Sequence, residues 1–141
     1  ELTVYLPKSV TLLTVSNNNG DIDIDGVNLN TLTINSVSGD IDLSDITAER
    51  GKIKSSAGET EISETAVFTK MLEVNQSFGD IEIDVPRDPD KIKFIISSET
   101  PLDEKAMCDS YLLSLAKSTD GKAEYSVNVK NGELSVKNSD D

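Results

Sequence analysis

Between residues 10 and 85 apolar and polar side chains alternate in short runs, and the runs recur. Four of them open on a glycine: Gly20-Asp-Ile-Asp-Ile-Asp25, Gly39-Asp-Ile-Asp-Leu-Ser44, Gly58-Glu-Thr-Glu-Ile-Ser63 and Gly79-Asp-Ile-Glu-Ile-Asp84. The glycines are 19, 19 and 21 residues apart. A second alternating pair stands seven and five residues before each glycine: Leu13 and Val15, Leu32 and Ile34, Gly51 and Ile53, Leu72 and Val74. A third stands seven and nine residues after: Val27 and Leu29, Ile46 and Ala48, Thr65 and Val67.

Alternation sends one set of side chains inward and the other outward. Ile22, Ile24, Ile41, Leu43, Ile62, Ile81 and Ile83 are expected inside, and glycine is expected to bend the chain before each acidic run. A unit of this length cannot bury its apolar side alone, whereas stacked copies share one core and pair strand over strand. The pattern predicts an all-β parallel β-solenoid of about five coils including the ends, each built of two or three short strands. A β-sandwich also repeats strands and turns, but it does not require one register in every unit.

Residues 1–9 read as an opening strand with Leu2, Val4 and Leu6 on one face, ended by Pro7. Past Pro86 the pattern breaks. Ile92, Phe94 and Ile96 alternate as a strand, and residues 102–117 read as a short helical or irregular insertion. Tyr125, Val127 and Val129 precede Asn131-Gly132, with Leu134 and Val136 beyond. Asn-Gly between alternating runs signals a hairpin, yet these residues fall in the repeat's own register, which favours a final coil. The whole chain, residues 1–141, reads as one domain with core repeats at 10–85 and a closing region at 86–141.

Charge sharpens the picture. The chain holds 13 Lys+Arg and 26 Asp+Glu, a net charge of −13, with no histidine and one cysteine, Cys108. Such a chain repels nucleic acid, and its partners are expected among cations, basic proteins, cationic peptides or neutral glycans. No apolar run approaches membrane-spanning length, so no direct membrane insertion is expected. Glu1 does not open a signal-peptide pattern; any export signal or anchor is expected outside this segment.

The acids concentrate at the first and third positions after each glycine: Asp21 and Asp23, Asp40 and Asp42, Glu59 and Glu61, Asp80 and Glu82. Stacked coils would align them into two carboxylate ladders. Three readings stand side by side. The ladders are a solvated face that blocks sheet-to-sheet sticking, the first acid also bracing the turn. They dock a cationic partner. Or they bind calcium weakly, because a flat ladder lacks the enclosing oxygens that calcium wants.

Catalytic chemistry finds little to work with. Regular surface acids differ from a glycosidase pair, which needs one buried, raised carboxyl. Without histidine, neither a serine nor Cys108 has the usual base. No cofactor motif is present. Asn17 to Asn19, Asn35, Ser36, Asn75 and Gln76 read as outward corner residues. The expectation is a noncatalytic binding module, with a structural spacer or oligomerisation solenoid as the alternative and a polysaccharide-active enzyme as a remote one.

The four in-register Gly-Asp-Ile-type motifs, their spacing and the Val4-Tyr-Leu-Pro-Lys8 opening resemble a bacterial family of β-strand-repeat domains named as adhesins and catalogued as a domain of unknown function. The resemblance runs over essentially the whole chain, is strongest from Val4 to Pro86, and departs at Gly58-Glu-Thr60. It implies a β-solenoid on the cell surface or extracellular side of the envelope, where some relatives look like parts of envelope-stress sensing. It carries no catalytic residues.

Overall fold

The computed structural model describes residues 4–85, 92–98, 106–108 and 123–138. They form ten strands: β1 Leu12–Asn19, β2 Ile22–Ser38, β3 Ile41–Ala57, β4 Thr60–Ile62, β5 Val67–Phe78, β6 Ile81–Val85, β7 Ile92–Ser98, β8 Ala106–Cys108, β9 Ala123–Asn131 and β10 Leu134–Asn138. Every pairing among them is parallel. The result is an all-β parallel solenoid of about 4 turns, and no described residue is helical.

Each 19-residue turn shifts its in–out alternation three times. In the second turn Ile22 and Ile24 point in, then Val27 and Leu29, then Leu32, Ile34 and Ser36, before the next turn opens on Ile41. The coil is therefore three-sided. One side carries the acidic run, a short side follows it, and a long side leads to the next glycine. Like residues stack: Ile22 lies beside Ile41, Ile24 beside Leu43, Ile34 beside Ile53. All seven residues expected inside from the acidic runs are buried. Each fully buried Ile or Leu contributes roughly 2 kcal/mol, and the stack makes those contributions continuous.

The glycine corner has two causes. Gly20, Gly39, Gly58 and Gly79 have φ of +114°, +129°, +132° and +107°, a region that L side chains rarely enter. Stacking adds a second constraint. A Cβ on Gly39 would lie 2.1 Å from Gly20 O, and one on Gly58 2.2 Å from Gly39 O. The corners are thus packed backbone against backbone.

The 21-residue turn is longer because it carries one extra residue at each of two corners. The buried residues there are Ala66 and Phe68, not Thr65 and Val67 as the spacing suggested; Thr65 is exposed and Val67 half-buried. Thr65 sits in the first extra corner, where its Oγ1 accepts from the Asp45 amide at 2.9 Å. The second extra residue shifts the register between Ala48 and Arg50. Phe68 fills the space that small residues leave in the turn beneath it. A Cβ on Gly51 would lie 2.3 Å from Phe68 Cε1, and the Phe68 ring stands edge-on to Tyr125, centroids 6.4 Å apart.

Two polar residues expected outside are inside. Ser36 and Gln76 are buried, because they continue the inward parity of Leu32 and Ile34, and of Leu72 and Val74. Gln76 replaces lost water with three bonds: Thr60 Oγ1 donates to its Oε1 at 2.7 Å, and its Nε2 donates to Gly58 O at 2.8 Å and Asp80 O at 3.0 Å. Thr60 takes the place that Ile22, Ile41 and Ile81 hold in their turns, so the departure at Gly58-Glu-Thr60 is one half of a buried polar pair.

The ends also depart from expectation. Residues 4–7 form no strand, and Val4 and Tyr5 are exposed; a strand needs an edge to pair with, and here a turn closed by Val10 N donating to Pro7 O at 3.1 Å intervenes. Leu2 lies outside the described residues. Ala106–Cys108 is a strand, where a helical or irregular insertion was expected; the remainder of 102–117 lies outside the described residues. Asn131-Gly132 makes a coil corner, not a hairpin: β10 runs parallel to β6. This coil does not close the stack. β9 lies between β5 and β7, and β10 between β6 and β8. The segment later in sequence is inserted beneath the earlier one. Tyr125 OH helps seat it by accepting from the Phe68 amide at 3.2 Å. Burial of the Tyr125 ring pushes its hydroxyl pKa up, which that amide partly offsets.

Candidate functional site

The register brings the acids together as the spacing implied. Asp23 lies beside Asp42, Asp42 beside Glu61 and Glu61 beside Glu82, rungs about 4.8 Å apart. All eight ladder residues are exposed except Glu82, which is half-buried.

The two columns do different work. In the first, the three aspartates reach up to the next turn. Asp21 Oδ1 accepts from the Asp40 amide at 3.0 Å, Asp40 Oδ1 from the Glu59 amide at 2.9 Å, and Asp80 Oδ1 from the Glu133 amide at 2.8 Å. The bend at each glycine takes these amides out of the regular ladder, and aspartate supplies the acceptor they would otherwise lack. The brace joins turn to turn instead of closing its own turn. It also extends the column to Glu133, which stands one residue after Gly132; that offset was visible in the sequence.

In the second column, Asp23, Asp42 and Glu61 make no hydrogen bond or ion pair among the described residues. Their charges face solvent and one another. Glu61 shows the strain most clearly: partial desolvation holds its carboxyl above the ordinary range, and Asp42, Glu82, Glu59 and Asp84 add to the effect. Asp25 flanks the columns and accepts from Ser44 Oγ at 3.1 Å. Among the described residues no group of three or more such side chains is gathered tightly enough to hold a metal ion. The arrangement is a flat, regular anionic surface, with its first column tied into the backbone and its second presented outward.

Comparison with known proteins agrees with this architecture at the level of family. The model of the Toastrack DUF4097 family matches residues 1–140. No curated protein and no solved structure matches. The family description names a domain of unknown function and brings no adhesive activity or ligand with it. Its match spans nearly the whole chain, insertion and inserted coil included, and the chain therefore belongs to the Toastrack DUF4097 family.

Proposed function

We propose that this domain is a noncatalytic, adhesin-like binding or sensing module on the extracellular side of the cell envelope, and that its second acidic column docks a cationic polypeptide segment. The observation that carries the reading is the division of labour between the columns. A solubilising face has no need to leave Asp23, Asp42 and Glu61 unbraced and mutually repelling beside a column whose aspartates are braced. Charges about 4.8 Å apart repel by very roughly 1 kcal/mol in water, and a basic partner relieves that repulsion.

The alternative, a structural spacer or oligomerisation solenoid, draws support from the first column, whose carboxylates serve the backbone. One experiment separates them. A variant with Asp23→Asn, Asp42→Asn, Glu61→Gln and Glu82→Gln leaves the Asp21, Asp40 and Asp80 braces in place. Wild type and variant are titrated calorimetrically with a lysine-rich peptide, and with calcium as a second arm, at low and physiological salt. Docking requires saturable, salt-sensitive peptide binding that the variant loses. Equal binding by a correctly folded variant eliminates the docking reading and leaves the spacer. Heat with calcium alone would assign the column to the metal instead.

A further inference from the structure

The long side of the coil carries the opposite charge in one place. Arg50, Lys52 and Lys54 occupy alternate outward positions of β3, and all three are exposed. They are three of the four Lys and Arg residues between Leu12 and Val85. The fourth, Lys70, bonds Glu49 at 2.7 Å and draws the Glu49 carboxyl below its ordinary range. None of the three in the row takes part in an ion pair among the described residues.

Their surroundings are uncharged on one flank and nearly so on the other. Thr31, Thr33 and Asn35 lie beside them on β2, and Met71, Glu73 and Asn75 on β5. The carboxylate on that flank, Glu73, accepts from Asn75 Nδ2 at 2.8 Å, and Glu49, next to Arg50 in the chain, is drawn down by Lys70 and to a lesser degree by Arg50. One rung further out β1 presents Thr14 and Ser16 beside Thr33 and Asn35. The turns between Leu12 and Val85 hold 14 Asp and Glu residues, any of which at Thr33 or Asn35 would offset part of the row's charge. Three like charges stand together instead, on a flat surface of hydroxyls and amides, facing away from the acidic side.

We propose that this long side binds a linear polymer of polyol phosphates, its phosphodiesters lying along Arg50, Lys52 and Lys54. The period is compatible with this chemistry. Alternate residues of a strand are separated by six backbone bonds and about 6.7 Å. A phosphodiester chain with three-carbon polyols between its phosphates also repeats every six bonds (P–O, O–C, C–C, C–C, C–O and O–P), so its extended charges fall in step with the row. Arg50 offers a planar fork to phosphate, and Thr33 and Asn35 on the adjacent strand offer partners to free polyol hydroxyls. The net charge of −13 does not forbid this: the Debye length is about 8 Å at physiological ionic strength, so the acidic side is largely screened from a ligand on the long side. The inference uses a different surface from the proposed peptide dock and stands or falls apart from it.

The test is binding of the whole domain to synthetic poly(glycerol phosphate), with polyglutamate and inorganic polyphosphate as comparison arms, at two salt concentrations. The variants are Arg50→Gln/Lys52→Gln/Lys54→Gln and, as a control, Asp23→Asn/Asp42→Asn, each checked for folding by circular dichroism. Expected are saturable binding of the glycerol polymer that weakens with salt, a loss on the order of tenfold or more in the triple-glutamine variant, and no loss in the control. Absence of binding at low salt, equal binding by the triple variant, or binding of either comparison polymer as tightly as the glycerol polymer would each overturn the proposal.

Discussion

Gly51 and Phe68 share one volume, and the structure predicts how they depend on each other. Gly51 stands where the neighbouring turns have Leu32 and Leu72, and it is outside the positive-φ region. Alanine is therefore free to adopt its backbone conformation, and by itself would stabilise by about 0.4–1 kcal/mol through the unfolded chain. The space is taken, however. The new Cβ would lie 2.3 Å from Phe68 Cε1, 2.7 Å from Phe68 Cδ1 and 3.1 Å from Leu72 Cδ1, against an optimum of about 3.5–4.0 Å. Phe68 is 1% exposed and rests edge-on against Tyr125, so the ring has nowhere to retreat. Overpacking of this kind costs about 1–3 kcal/mol, and Gly51→Ala should be destabilising by about 1–2 kcal/mol overall. Phe68→Leu removes the ring edge and costs about 1–2 kcal/mol through the space it leaves. The double variant should then be little worse than Phe68→Leu alone, a favourable coupling of about 1–2 kcal/mol. Urea unfolding followed by circular dichroism on the four proteins of the cycle measures it. A neutral or stabilising Gly51→Ala in the presence of Phe68, or strictly additive single effects, would refute the packing argument.

Three further outcomes are expected. Gly39→Ala meets both a φ of +129° and the Gly20 carbonyl at 2.1 Å; it should cost upwards of about 3 kcal/mol, far more than Gly51→Ala, in the same urea assay. Asp40→Ala removes the acceptor for the Glu59 amide and should cost about 1 kcal/mol, while Asp42→Ala, in the unbraced column, should leave the unfolding midpoint unchanged or raised. Glu61 gives a pH signature. Its folded carboxyl lies above its ordinary value of 4.5, so the folded chain holds that proton more tightly than the unfolded chain, and ionisation opposes folding at neutral pH. The penalty is complete above the folded pKa, shrinks as pH falls through it, and is gone below 4.5. Glu61→Gln should therefore unfold at higher urea than wild type at pH 7 and match it at about pH 4; a constant difference across that range would contradict the assignment.

The fold was legible because its cause is local and repeated. The glycine register fixed the corners, and the apolar residues two and four places after each glycine fixed the acidic side. Where legibility failed, a residue in three dimensions had overridden the count. The first of two extra corner residues moved the inward positions from Thr65 and Val67 to Ala66 and Phe68, and the spacing of 21 alone did not say where the two would fall. Ser36 and Gln76 look like surface residues by type and are buried by parity. The order of the last coils was invisible, because β7 and β9 carry the same alternation and nothing in it states which lies nearer to β5. Of the candidate site, the alignment of both columns could be read from the repeat. Their division of labour could not, since the distinction between Asp21 and Asp23 rests on which carboxylate reaches the amide of the following turn. The cation row was equally present in the sequence, but it gained meaning only once Arg50, Lys52 and Lys54 were seen to share a flat side apart from the two acidic columns.

The inserted coil puts the growth of the stack out of step with the growth of the chain. As the polypeptide is synthesised, the turns up to Val85 can add one upon another in the order in which they are made. Ile92–Ser98 comes next, but the strand it finally rests on, Ala123–Asn131, does not yet exist. The edge exposed at that moment is Met71–Phe78, which belongs to β9 in the finished molecule. Assembly must therefore pause with an open parallel edge until residues 123–138 are made, and a product cut short before them keeps that edge. Open edges recruit other chains. Biogenesis of this domain thus ends in a single late closure, and it is at that step, more than in the regular turns, that truncation products should be lost to aggregation or proteolysis.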